Sequence, residues 1–176
     1  MEQPAPSVIA EDLPLLRDTD GKPALCLVTG ATGYIGGRLI TELLTHGYRV
    51  RVLARNANRL SQHAWRASVE LVEGDAADPK VLERALDGVD VAYYLLHALL
   101  EKDDFEAKER SLAQLFADVA QKAKVQRLVY LGGIVSPNQE LSPHLGARVE
   151  TGEILRSSGV PTIELRSEEH TSELQS

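Results

Sequence analysis

The chain has 176 residues, 43% of them apolar and 26% charged, a size that suits one domain with a sizeable buried core. Its formal charge is −7 and no basic stripe stands out, which argues against a nucleic-acid partner, while no apolar run approaches the roughly 20 residues of a membrane span. A single cysteine, Cys26, rules out an internal disulfide, and with no signal-peptide pattern at the start it points to a reducing, cytoplasmic setting.

In chain order, residues 1–23 hold Pro4, Pro6 and Pro14 and the turn-like Asp18-Thr19-Asp20-Gly21, and read as a flexible arm. From Ala24 onward short apolar runs alternate with amphipathic ones. A strand is predicted over 24–29, with Cys26 as a small buried hydrophobe, then a helix over 34–46 stopped by Gly47. A strand at 49–54 is followed by a helical stretch at 57–65 and a strand at 69–73. Asp78 caps the next helix with Pro79 in its first turn, and Gly88 ends it. Strand 89–95, helix 104–124, strand 127–131, helix 143–157 and strand 162–165 complete the series. This alternation predicts an α/β domain over 24–166 with a doubly wound parallel sheet, ending after about the sixth strand.

Residues 167–176 show neither period. With Arg166 they read Arg-Ser-Glu-Glu-His-Thr-Ser-Glu-Leu-Gln-Ser, the in-frame translation of a sequencing adapter, and are expected to be a non-native tail rather than a natural polar extension. The tail holds Glu168, Glu169 and Glu173 and no Lys or Arg, so without it 19 basic residues face 23 acidic ones, a net charge of −4. The expected consequences are a missing C-terminal part and an exposed apolar edge beside the sixth strand.

The run Leu25-Cys26-Leu27-Val28-Thr29-Gly30-Ala31-Thr32-Gly33-Tyr34-Ile35-Gly36 joins a buried strand to a helix through glycines spaced G-x-x-G-x-x-G. Such a turn receives a dinucleotide pyrophosphate on a helix N-terminus. Gly30 allows the sharp turn, Gly33 lets the phosphates approach, and Gly36 lets helix and strand pack closely; the amides of Thr32, Gly33, Tyr34 and Ile35 then face the anion. A purely structural turn is the alternative. At the end of the second strand no acidic residue follows Ala54; Arg55, with Arg59 one turn on, suits a ribose 2′-phosphate and favours NADP(H), whereas a merely solvated Arg55 leaves NAD(H) open. Asp75, beside Ala76, either accepts from the adenine amino group or makes a turn. Leu96 and His97 end the fourth strand where ribose and nicotinamide pass, with His97 a polar contact or a local cap. Gly132-Gly133 permits close approach of a ligand or a turn. No metal-binding pattern appears.

The glycine motif, Arg55, Gly74-Asp75 and Tyr130-Leu131-Gly132-Gly133 together resemble the short-chain dehydrogenase/reductase superfamily. The likeness is greatest to its atypical NAD(P)H-binding, NmrA-like branch, which includes relatives of an accessory subunit of respiratory complex I. The resemblance covers 24–166 and implies an NAD(P)-binding Rossmann fold. Active reductases of that superfamily use Tyr-x-x-x-Lys on the helix after the fifth strand, the Tyr supplying a proton and the Lys lowering its pKa. No Tyr-x-x-x-Lys occurs here; His144 and Arg148 stand in that region, and Ser136 is the nearest candidate for the partner serine. His144 can donate a proton and Arg148 keep the positive charge, or both form a solvated helical turn. Two functions therefore stand as expectations: an NADP(H)-dependent oxidoreductase or isomerase acting on a carbonyl or alcohol of an unidentified small molecule, and a non-catalytic NADP(H)-binding redox sensor or assembly module.

Overall fold

The apolar runs become six strands: β1 (Leu25–Thr29), β2 (Arg49–Ala54), β3 (Glu70–Glu73), β4 (Val91–Tyr94), β5 (Arg127–Gly133) and β6 (Thr162–Ser167). The computed structural model describes residues 15–96, 105–134 and 142–167, and among these the strands form one sheet in the order β3-β2-β1-β4-β5-β6, every pair parallel. Helices α1 (Tyr34–Thr45), α2 (Pro79–Leu86), α3 (Phe105–Lys122) and α4 (Pro143–Ser157) make the crossovers. The chain works outward from β1 to β3, then returns past β1 to β4. Strand order therefore reverses between β1 and β4, and a ligand crevice opens at their carboxyl ends.

Alternation along the central strands divides the core between two faces. Leu25 and Leu27 of β1, Tyr94 of β4 and Leu128 and Tyr130 of β5 pack with Leu82, Leu86, Phe116, Ala120 and Leu155 of α2, α3 and α4. Cys26 and Val28 turn to the other face, against Ile40 and Leu43 of α1 and the buried Leu60 and Trp65. Tyr94 meets Phe116 and Tyr130 edge-on, at 5.0 and 6.0 Å between ring centres. Burial pushes the Tyr130 phenol up to about 12, and its hydroxyl donates to the Arg148 carbonyl (3.0 Å), tying β5 to α4.

β6 runs two residues past the expected 162–165, so that Ser167, expected to open the irregular tail, pairs with Gly133 as a strand residue. Three further departures have visible causes. The helix expected over 57–65 is two 3₁₀ turns, Ala57–Leu60 and Ala64–Ser68. Asn56 accepts from the Asn58 amide and the Ser61 hydroxyl donates to the Asn58 carbonyl, and these local bonds compete with an α-helical ladder. β4 starts at Val91 because Asp90 is a clamp: its carboxylate accepts from the Leu25 amide and from Gln126 Nε2, each at 2.8 Å. β5 continues through Gly132 and Gly133, which pair with Arg166 and Ser167 of β6. The pair therefore lies in a strand and not in a turn, and a Cβ at Gly132 would lie 2.5 Å from Glu164 Oε1, a carboxylate from the next strand. Glu164 is held there by Arg156 of α4. On the opposite side of β6, Ile163 and Leu165 are exposed at the sheet edge. No helix among the described residues is long and apolar enough to cross a membrane.

Candidate functional site

β1 ends at Thr29, whose buried hydroxyl donates to the Tyr93 carbonyl (2.8 Å) and accepts from the Leu95 amide (2.9 Å). One side chain thus pins the carboxyl ends of β1 and β4 at the switch point. Gly30 follows with φ +70°, and a Cβ there would run into the Leu95 carbonyl, so both conformation and space require glycine. The Gly33 amide donates to the Gly30 carbonyl (3.0 Å) and closes the turn. Gly36 packs on it: a Cβ would sit 2.9 Å from the Gly30 carbonyl carbon. Gly33 is different. Its φ is an ordinary −80°, and a Cβ would meet only the Gly30 oxygen, at 3.3 Å, on the exposed side of the turn. The space that Cβ would fill lies in front of the α1 N-terminus.

That terminus has no side-chain cap and no carboxylate in its first turn. The first bond of the helical ladder runs from the Gly37 amide to the Gly33 carbonyl (3.0 Å), which leaves the Tyr34, Ile35 and Gly36 amides without a backbone acceptor among the described residues. Elsewhere the chain caps its helices, α2 with Asp78 and α4 with Ser142. Open amides at the positive end of a helix dipole form an anion seat. Of the amides expected to face the anion, that of Gly33 is used by the turn itself, and Gly36 adds its own.

On the adenosine side of the crevice, Arg55 and Arg59 are exposed just past β2, and neither side chain pairs with a described residue. Asp75 is exposed past β3; its Oδ1 accepts from the Ala77 amide (2.9 Å), the turn role, and its Oδ2 has no partner among the described residues. The Ala76 side chain is buried in the core, so only its backbone is available to a ligand. Leu96 is half-buried against the same core. His97 and Ser136 lie outside the described residues.

Sequence reading missed a cleft of about 390 Å³ between α1 and the second 3₁₀ turn, lined by Thr32, Gly33, Tyr34, Arg38, His63 and Trp65 among others. Arg38 donates to the Tyr34 hydroxyl (2.7 Å) and lies 5.4 Å above the ring centre; His63 stacks on Trp65 at 4.6 Å. The i, i+4 spacing of Tyr34 and Arg38 was the available signal, but the partner wall lies beyond β2 in sequence. At the far end of the crevice, His144 and Arg148 occupy successive turns of α4. His144 is exposed with its ring edge-on to Phe105 of α3 (4.8 Å). Arg110 and Glu150 (2.5 Å) brace the same two helices, and that bond holds the Glu150 carboxyl below its ordinary value. Among the described residues no group of acidic, His or Cys side chains could hold a metal.

The NmrA-like family model matches residues 23–164. The chain belongs to the NmrA-like family. It is 33% identical over 138 residues to a (4-alkanoyl-5-oxo-2,5-dihydrofuran-3-yl)methyl phosphate reductase of Streptomyces griseus, covering 78% of this chain and 45% of the relative. It is 32% identical over 116 residues to a 3 beta-hydroxysteroid dehydrogenase/Delta 5→4-isomerase of Mycobacterium tuberculosis, covering 59% of this chain and 30% of that one. The fold matches triphenylmethane reductase of Citrobacter sp., solved with NADP(H), at a TM-score of 0.66 and 23% identity over 82% of this chain and 49% of that one. A short-chain dehydrogenase/reductase superfamily protein of Agrobacterium tumefaciens with bound NAD matches at 0.66 and 23%, over 81% and 48%. At such identities the structural likeness speaks for the Rossmann fold alone. The chain spans less than half the length of each of these relatives.

Proposed function

We propose that this chain is the NADP(H)-binding part of an oxidoreductase or isomerase that works on a carbonyl or alcohol carbon. The observation that carries the reading is Gly33: its backbone angles do not require glycine, a Cβ would meet one atom only, the Gly30 oxygen at 3.3 Å, and a side chain there would stand where a phosphate meets the open amides of Tyr34, Ile35 and Gly36. The residues present fit a dinucleotide. Those amides and the α1 dipole would hold the pyrophosphate, Arg55 the 2′-phosphate, Asp75 Oδ2 the adenine amino group, and Leu96 would wall the ribose. When bound, the dinucleotide supplies or accepts a hydride. His144 would then exchange the proton on the substrate oxygen, with Arg148 supplying positive charge on the same helix. A cytoplasmic setting is supported by the single cysteine, buried in β1.

The missing Tyr-x-x-x-Lys pair favours a second reading, a module that binds NADP(H) without turnover. Loss of NADPH absorbance with a panel of aldehydes and ketones separates the two. The binding reading is tested by titrating NADPH and NADH separately into the chain and its Arg55→Ala variant. Tighter NADPH binding that is lost in the variant is the expected result. Failure of the folded parent to bind either nucleotide overturns it.

A further inference from the structure

We infer that the cleft between α1 and the second 3₁₀ turn is the seat of the cofactor's 2′-phosphate, with Arg38 as its cation and His63 as its ring wall. This rests on the NADP(H) reading above. The pyrophosphate seat fixes one end of the adenosine half, and the crevice carries that half toward β2 and β3, where Arg55 stands. A substituent on the ribose therefore leaves between the glycine turn and the chain that follows β2. Those two segments are the walls of the cleft: Thr32, Gly33 and Tyr34 on one side, His63 and Trp65 on the other. The cleft thus opens from the anion seat itself, through Thr32 and Gly33.

Its chemistry suits a phosphate monoester. Arg38 pairs with no carboxylate among the described residues; it contacts the Tyr34 hydroxyl and ring, one turn back on the same helix. That contact uses one guanidinium N–H and holds the planar group at the lip, leaving the other donors for an anion. Among the described residues no carboxylate lines the cleft to compete or repel. His63 lies flat on the buried Trp65, which fixes its ring against the opening. Arg55 and Arg59, also without carboxylate partners among the described residues, add positive charge on the β2 side. On this assignment, selectivity for NADP(H) is shared across the turn rather than vested in Arg55 alone.

The test measures affinities of the whole chain and of Arg38→Gln, which removes the charge but keeps a donor for Tyr34, using NADPH, NADH, 2′,5′-ADP and 5′-ADP by calorimetry. Circular dichroism verifies the fold, and His63→Ala serves as a second variant. Arg38→Gln is expected to weaken NADPH and 2′,5′-ADP about 10- to 100-fold and to leave NADH and 5′-ADP within twofold. His63→Ala is expected to weaken the same two ligands less, with the same selectivity. Unchanged NADPH affinity in Arg38→Gln, or an equal loss for all four ligands, overturns the inference while leaving the cofactor reading intact. A parent that binds NADPH and NADH equally does the same. A folded parent that binds no nucleotide overturns both.

Discussion

Gly33 and Gly36 separate what the fold needs from what the ligand needs. In Gly36→Ala the new methyl carbon would lie 2.9 Å from the Gly30 carbonyl carbon and closer still to its oxygen. Both are backbone atoms of a turn fixed by the Gly33–Gly30 bond, so the strain cannot relax through a rotamer. Overpacking of this kind costs about 2 kcal/mol, or roughly 4–8 °C in Tm for a chain of this length. In Gly33→Ala the methyl meets one backbone oxygen at 3.3 Å on the exposed side, a contact that needs a shift of only a few tenths of an ångström, against the far closer approach in Gly36→Ala. At an N-cap that change costs no more than about 1 kcal/mol. The same methyl would hold a phosphate away from the Tyr34 and Ile35 amides. Two weakened charge-assisted bonds together are worth about 3 kcal/mol, more than 100-fold in Kd. Gly33→Val, with a bulkier side chain, is expected to abolish binding. Thermal melts by circular dichroism with NADPH titrations therefore give opposite signatures, Gly36→Ala losing stability and Gly33→Ala losing affinity. A Gly33→Ala protein that binds NADPH within threefold of the parent refutes the assigned seat.

Thr29→Val keeps the shape of the side chain but removes both bonds that join β1 to β4, leaving the Leu95 amide and Tyr93 carbonyl short of a partner. A loss of about 2 kcal/mol is expected, read as a fall in Tm of roughly 4–8 °C; a fall under 2 °C shows that the strands do not depend on this clamp. Burial pushes the Cys26 thiol up to about 12, with Asp90 nearby adding to the effect. The folded protein therefore keeps this proton at pH values where the unfolded chain has lost it, so this group lowers stability progressively as pH rises from about 9 toward 12. Alkylation of native protein at pH 8.5 is expected to proceed only at the unfolding rate, and the alkaline fall in denaturation midpoint is expected to be shallower in Cys26→Ala; fast native labelling contradicts the burial argument.

Much of the fold is legible because its signals are local. β1, the glycine turn and α1 follow one another without a gap, and Gly47, Gly88 and Gly159 adopt positive φ where the sequence marks helix ends. What escapes is set by contacts between residues far apart in the chain. Asp90 looks like a residue within a strand until the Leu25 amide and Gln126 are seen to claim its carboxylate. Gly132 suits a turn as well as a ligand until its pairing with Arg166, and Glu164 of the neighbouring strand beside it, place it inside β5. The stretch after β2 is free of breakers, but its two buried anchors, Leu60 and Trp65, are five residues apart and do not share a helical face, and Asn56, Asn58 and Ser61 satisfy one another locally and divide it. The cleft beside α1 depends on that division, because the second 3₁₀ turn brings His63 and Trp65 opposite Arg38.

The two kinds of residue at the crevice differ in what else they do. Thr29, Gly30 and Gly36 serve the fold directly, through strand ties, a positive φ and backbone contact. Arg38, Arg55 and His144 are exposed, and removing any of them takes little from the core. A change in the first group therefore acts on stability and nucleotide binding together, whereas a change in the second can alter cofactor choice or proton chemistry on an unchanged sheet. On this division, a chain can lack Tyr-x-x-x-Lys on α4 and still keep every element that forms the anion seat, because that pair lies among the residues the fold does not need. For the same reason, the intact glycine turn argues for a bound dinucleotide and leaves turnover to be decided at His144 and Arg148.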